Sequence, residues 1–149
     1  MVITFCGHAD FFETEEHERN LLAFLEKTVR DHPAEMYLGG YGGFDQFAYL
    51  CCRKYKETHP NIRLVLVSPY LTTGTRSSEY RQAAYDSVIY PEIEDKPPRV
   101  AIVYRNRYMV ERADHVIAYV SHAWGGAYKT YRYAQRKGKE IWNLADFDR

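Results

Sequence analysis

Five times along this chain a short apolar, β-prone run alternates with a helical segment, and the first four runs halt at a turn of glycine, serine or proline. The runs are Val2-Ile3-Thr4-Phe5-Cys6, Glu35-Met36-Tyr37-Leu38, Ile62 to Val67, Ala113 to Val120 and Ile141-Trp142-Asn143-Leu144. Apolar runs this short, bounded by turn residues, read as buried strands. Strands separated by helices join through right-handed crossovers, so the sheet is predicted to be mainly parallel. The expected fold is α/β: a Rossmann-like three-layer domain on a mainly parallel five-stranded sheet, with residues 1–149 forming one domain.

The helical segments carry their own signals. Thr14 is placed to cap a helix whose first turn holds Glu15 and Glu16, where carboxylates favour the dipole. Leu21, Leu22, Leu25 and Val29 then share a face, and His32-Pro33 stops it. Phe44, Phe47, Ala48, Cys51 and Tyr55 form a second apolar stripe, which assigns Cys51 and Cys52 to packing. A third helix is predicted from about Arg99 through Arg112. A fourth carries Ala127, Thr130, Tyr131 and Ala134 inward and Lys129, Arg132 and Arg136 outward, and ends at Gly138. Between the third strand and the third helix the pattern breaks down. Polar residues Thr72 to Arg81 precede a short helix, and Ser87-Val88-Ile89-Tyr90 reads as a short extended piece. Long non-periodic stretches of this kind often serve binding.

Composition narrows the function classes. Lysine plus arginine and aspartate plus glutamate each number 20, so the net charge is zero. No general polyanion-binding surface follows, and no nucleic-acid partner is expected without a local basic patch. No apolar run approaches the roughly 18–20 residues that cross a bilayer. The opening MVITFCGHAD has neither the basic region nor the cleavage site of a secretory leader. Cys6, Cys51 and Cys52 are odd in number, which argues against a disulfide framework and for a cytoplasmic setting. Standard zinc spacings are missing, so no metal is expected. Fourteen tyrosines suit either the edge of a core or a homo-oligomeric interface such as a dimer.

The strand ends carry the chemistry, because open parallel sheets bind ligands beyond the carboxyl ends of their strands. These ends are Cys6-Gly7-His8, Gly39-Gly40-Tyr41-Gly42-Gly43, Ser68-Pro69-Tyr70 and Ser121-His122-Ala123-Trp124-Gly125-Gly126. Gly42-Gly43 and Gly125-Gly126 lead directly into helices. A helix N-terminus presents unpaired N–H groups and partial positive charge, and glycine lets a phosphate approach. Neither turn matches the dinucleotide fingerprint or the P-loop lysine motif, and no resident cofactor is expected.

The Cys6-Gly7-His8 end, Leu38-Gly39-Gly40-Tyr41-Gly42-Gly43-Phe44-Asp45, Val67-Ser68-Pro69-Tyr70, Arg105 to Asp114 and Trp124-Gly125-Gly126-Ala127 together resemble the SLOG superfamily, in particular its small YpsA-like members. The likeness runs along nearly the whole chain in motif order. It implies a Rossmann-like fold related to the lysine decarboxylase-like phosphoribohydrolases and to DprA, and a nucleotide-derived ligand such as a nucleotide, NAD or an ADP-ribose-like molecule. One departure matters. The phosphoribohydrolase motif ends in a catalytic glutamate, whereas here Trp124-Gly125-Gly126-Ala127-Tyr128-Lys129-Thr130-Tyr131-Arg132 contains none.

Three readings stay open. The first is binding or sensing of a nucleotide-derived ligand through Gly7, His8, Gly39, Gly40, Gly42, Gly43, Asp45, Pro69, Arg105, Asn106, His122, Trp124, Gly125 and Gly126. The second is N-glycoside hydrolysis of a nucleoside monophosphate, with Asp45 or Glu111 as base or nucleophile. Each residue has a plainer role. Asp45 can complement its helix dipole, Arg105 can be solvated on a helix face, and Glu111 can pair locally. Trp124 can stack on a base or enter an interface. Asn106 is unfavourable inside a helix and is expected to make a specific hydrogen bond. A tyrosine-built oligomer of structural or regulatory role is a third reading.

Overall fold

The computed structural model describes residues 1–69, 83–93 and 96–148. Tyr70 and the polar stretch Thr72 to Arg81 lie outside them. The described chain runs β1 (Val2–Gly7), α1 (Glu15–Thr28), β2 (Ala34–Leu38), α2 (Gly43–Lys56), β3 (Ile62–Val67), β4 (Ser87–Ile89), α3 (Pro98–Arg112), β5 (His115–Tyr119), α4 (Gly125–Arg136) and β6 (Glu140–Asn143), with a final 3-10 turn at Leu144–Phe147.

The strands form one sheet in the order β4-β3-β2-β1-β5-β6, and every pairing is parallel. Among the described residues the sheet has six strands rather than the five expected. The extra one is Ser87–Ile89, pairing Ser87 with Val65 and Ile89 with Val67. It is three residues long and half-buried throughout, too short for its period to declare a strand.

Side-chain alternation divides the core between two layers. Ile3 and Phe5 pack with Leu21, Leu25, Phe44 and Phe47 from α1 and α2. Cys6 packs on the other face with Val110 of α3 and Ala134 of α4, and Val65 and Val67 meet Met109 there. The predicted stripe of α2 is buried at Phe44, Phe47, Ala48, Cys51, Cys52 and Tyr55. Each large apolar side chain so buried contributes about 1.5–3 kcal/mol. All three cysteines are free and buried.

α1 starts as expected at Thr14, with one addition. Thr14 Oγ1 accepts from His17 N, and His17 Nδ1 accepts from Thr14 N, each at 3.2 Å. The histidine thus plays the part usually taken by glutamate in a capping box. Its Nε2 lies 2.8 Å from Asp148 Oδ1, and Tyr119 Oη donates to Asp148 as well. The tail after β6 is thereby tied to the start of α1. Tyr49, Tyr85, Tyr119, Tyr128, Tyr131 and Tyr133 pack partly buried at the margins of the core. No described helix is long and apolar enough to cross a membrane.

Candidate functional site

From β1 the chain proceeds outward in one direction through β2 and β3, and it returns on the other side at β5. The topological switch point therefore lies between β1 and β5, whose carboxyl ends diverge into their loops. A groove of about 400 Å³ opens there, within the range of small-molecule sites. Its walls bring together residues from four distant parts of the chain: Gly7 at the end of β1 with His8 after it, Asp45 on α2, Arg105 and Asn106 on α3, and His122, Trp124, Gly125 and Gly126 after β5.

Three rings stack along one wall. His8 and His122 lie 3.8 Å apart with planes 8° from parallel, and His122 and Trp124 lie 3.8 Å apart at 20°. The stack begins buried at His8 and ends at Trp124, which is 68% exposed. His8 Nε2 accepts from Ser121 N at 3.0 Å, so the neutral ring carries its proton on Nδ1. Burial lowers the pKa of His8, the neighbouring His122 lowers it further, and Asp10 opposes them. Tyr41, a second exposed aromatic, also lines the groove. Sequence reasoning passed over it, although an aromatic within a glycine turn was the available signal.

The two glycine turns differ. At the start of α2 the donors are already engaged. Gly43 N donates to Ala9 O at 2.8 Å and Phe44 N to His8 O at 3.3 Å. A Cβ on Gly43 would meet Ala9 O and Phe11 O at 2.8 Å, and Gly42 holds φ at +93° against Ala9. Gly39, Gly40, Gly42 and Gly43 do not line the groove. The expected phosphate cradle at this turn is therefore corrected: Gly42 and Gly43 admit the β1–α1 loop. At the start of α4 the reverse holds. No described side chain caps the helix, no described residue beyond the adjoining chain lies within 4 Å of a Cβ at Gly125 or Gly126, and both residues are exposed.

Arg105, which lines the groove, is not the solvated helix-face arginine of the plainer reading but is only 6% exposed. Its Nη1 donates to Gly39 O at 2.9 Å and Val67 O at 3.1 Å, binding the ends of β2 and β3 to α3. Its Nε donates to Asn106 Oδ1 at 2.9 Å, which is the specific bond expected of that asparagine. Gly39 sits beneath Asp45 and Arg105, and a Cβ there would lie 2.9 Å from Asp45 Oδ2 and 3.1 Å from Arg105 Cζ. Burial pushes the Asp45 carboxyl up to about 6, while the Arg105 charge and the Tyr41 N–H pull it back. The net direction is upward, set by burial against the two opposing groups. Cys6 lines the groove too, but burial and then Asp45 push its thiol up to about 12, so it offers no thiolate.

Two candidates stand apart. Glu111 lies in a separate depression, where it accepts from Tyr133 Oη; it is not in the groove. Pro69 is half-buried after β3 and does not line the groove either. Among the described residues, no group of three histidine, cysteine, aspartate or glutamate side chains is placed to hold a metal ion.

A parallel sheet of this order with helices on both faces is a Rossmann-like α/β domain. No family model matches the chain. A curated relative, the uncharacterized SPbeta prophage-derived protein YoqJ of Bacillus subtilis (strain 168), is 24% identical over 144 residues, covering 83% of this chain and 84% of that protein. The X-ray structure of DNA processing protein A (DprA) from Streptococcus pneumoniae matches with a TM-score of 0.65 at 14% identity, covering 93% of this chain. The chain spans about half of that protein, 48% of its length. DprA from Helicobacter pylori, described by its single-stranded DNA binding mode, gives 0.61 at 16% identity, covering 95% of this chain and 63% of that one. The X-ray structure of TM1055 gives 0.57 at 13%, covering 94% of this chain and 71% of that one. These structures share the fold, including that of DprA.

Proposed function

We propose that this chain binds a nucleotide-derived ligand in the switch-point groove, with its base against Trp124 and a phosphate at the Gly125-Gly126 start of α4. The observation that carries the reading is the exposed end of the His8–His122–Trp124 stack beside an uncapped, unobstructed helix N-terminus. One feature suits a π-face and the other an anion, and a nucleotide presents both. The single-stranded DNA binding described for the Helicobacter pylori neighbour fits a fold that handles bases and phosphates. The motif order along the chain supports placement in the SLOG superfamily near its YpsA-like members.

The test is thermal unfolding with a panel of nucleotides, NAD and ADP-ribose. A ligand at 100 times its Kd should stabilise the protein by about 2.7 kcal/mol. Trp124→Ala should weaken that ligand by about 1–3 kcal/mol, the usual value of base stacking, and leave the ligand-free Tm unchanged. A panel that shifts nothing, or a ligand indifferent to Trp124→Ala, removes the reading.

A second reading is N-glycoside hydrolysis with Asp45 as base. It is favoured by the carboxyl being raised to about 6 within the groove. Release of free base that Asp45→Asn abolishes would establish it, and cleavage retained in that variant would exclude Asp45.

A further inference from the structure

A second groove, of about 460 Å³, lies between α3 and α4 and shares Ile102, Asn106, Gly126 and Thr130 with the first. Four cations line it: Arg107 from α3, and Lys129, Arg132 and Arg136 from α4. Among the described residues no carboxylate lines it and none of the four forms an ion pair; Glu111, which accepts from Tyr133 Oη, lies in the adjoining depression with Arg107. Arg132 donates to the neutral Gln135 Oε1 at 2.8 Å, and Arg107 and Arg136 lie 5.1 and 5.8 Å from the Tyr133 ring. In a chain of zero net charge, such clustering is local and leaves mutual repulsion that a bound anion would offset. A cleft lined by charges of one sign also concentrates ions of the other.

We infer that the α3–α4 groove is a polyphosphate subsite, and that the ligand is a nucleotide carrying a chain of phosphates. The inference rests on the nucleotide reading above. Gly126 belongs to both grooves, so a phosphate chain anchored there enters the second directly. Lys129, Arg132 and Arg136 follow at spacings of three and four along one face of α4. They lead away from Gly126 for about 15 Å at the helical rise. A single phosphate brings at most about two negative charges, which leaves half of this cluster unmatched. A nucleoside triphosphate matches it.

The experiment is equilibrium binding of the mono-, di- and triphosphates of each nucleoside, with inorganic tripolyphosphate as competitor and a ten-nucleotide single-stranded DNA as a separate arm. Affinity should rise at least about tenfold from mono- to triphosphate, as charge-assisted bonds require, and should fall with added salt. In the Lys129→Ala/Arg132→Ala double variant the triphosphate should fall to the monophosphate level. That variant should keep the wild-type Tm, because both side chains are exposed. Tripolyphosphate should displace the triphosphate from the wild type. Equal affinity for mono- and triphosphate would overturn the subsite while leaving the nucleotide reading intact. Failure of every nucleotide to bind would overturn both. DNA binding that depends on Lys129 and Arg132, without preference for the triphosphate, would make this groove a strand interface and overturn the inference.

Discussion

The turn into α2 and the turn into α4 each place two glycines at a helix N-terminus after a buried strand, yet they do opposite things. At Gly42-Gly43 the glycines let another loop in: Ala9 O takes the Gly43 donor and His8 O takes that of Phe44. At Gly125-Gly126 no described residue beyond the adjoining chain comes within 4 Å of where a Cβ would be, and the ring of Trp124 stands exposed alongside. A glycine pair at a helix start therefore does not by itself say what it admits: Gly42-Gly43 admits the protein's own loop, whereas Gly125 holds φ at +90° with no other described part of the chain packed against it.

The comparison breaks most severely at Arg105, which braces the closed turn. Arg105→Met leaves Gly39 O and Val67 O without their charged donor and Asp45 without a nearby cation. A loss of roughly 3 kcal/mol is expected from bonds of this kind, read as a Tm lowered by roughly 10 °C for a domain of this size. Next is the pair Gly43→Ala and Gly126→Ala. The first drives a methyl onto two carbonyl oxygens at 2.8 Å and should cost about 2 kcal/mol, as overpacking does. The second meets nothing and should stay within about 0.5 kcal/mol. Denaturant titration of both variants measures the asymmetry directly, and equal losses would erase it.

The smallest effect concerns Asp45. Its carboxyl is raised from 3.8 to about 6 in the folded protein, so between those values the native state holds more protons than the unfolded chain. Stability from this group is fully present below about pH 4 and is lost as pH rises through about 6. Asp45→Asn should therefore unfold at a higher temperature than wild type at pH 7.5, with the gap closing at pH 4. Thermal scans across that range check it, and a gap that widens toward acid would reverse the sign.

The fold was legible because its signals are local. Short apolar runs and stripes such as Phe44-Phe47-Ala48-Cys51-Tyr55 specify their elements without help from elsewhere. Ser87–Ile89 escaped as a strand because three half-buried edge residues carry no period. The site was legible as an inventory but not as an arrangement. His8, His122 and Trp124 were each visible, but their stacking depends on β1 and β5 being neighbours, 113 residues apart at the His8–Ser121 bond. In the sequence Arg105 reads as a ligand contact or a solvated helix-face arginine, and the clue to its burial is its neighbour Asn106, out of place inside a helix. The two glycine turns could not be told apart, because what closes the first is supplied by Ala9 and Phe11.

The contrast between the turns can be read from backbone amides. Two-dimensional nitrogen–proton NMR spectra recorded during titration with a nucleoside triphosphate should move the resonances of Gly125, Gly126 and Ala127 and leave Gly43 and Phe44 in place. Shifts concentrated at Gly42 to Phe44, with the α4 amides unmoved, would contradict the account.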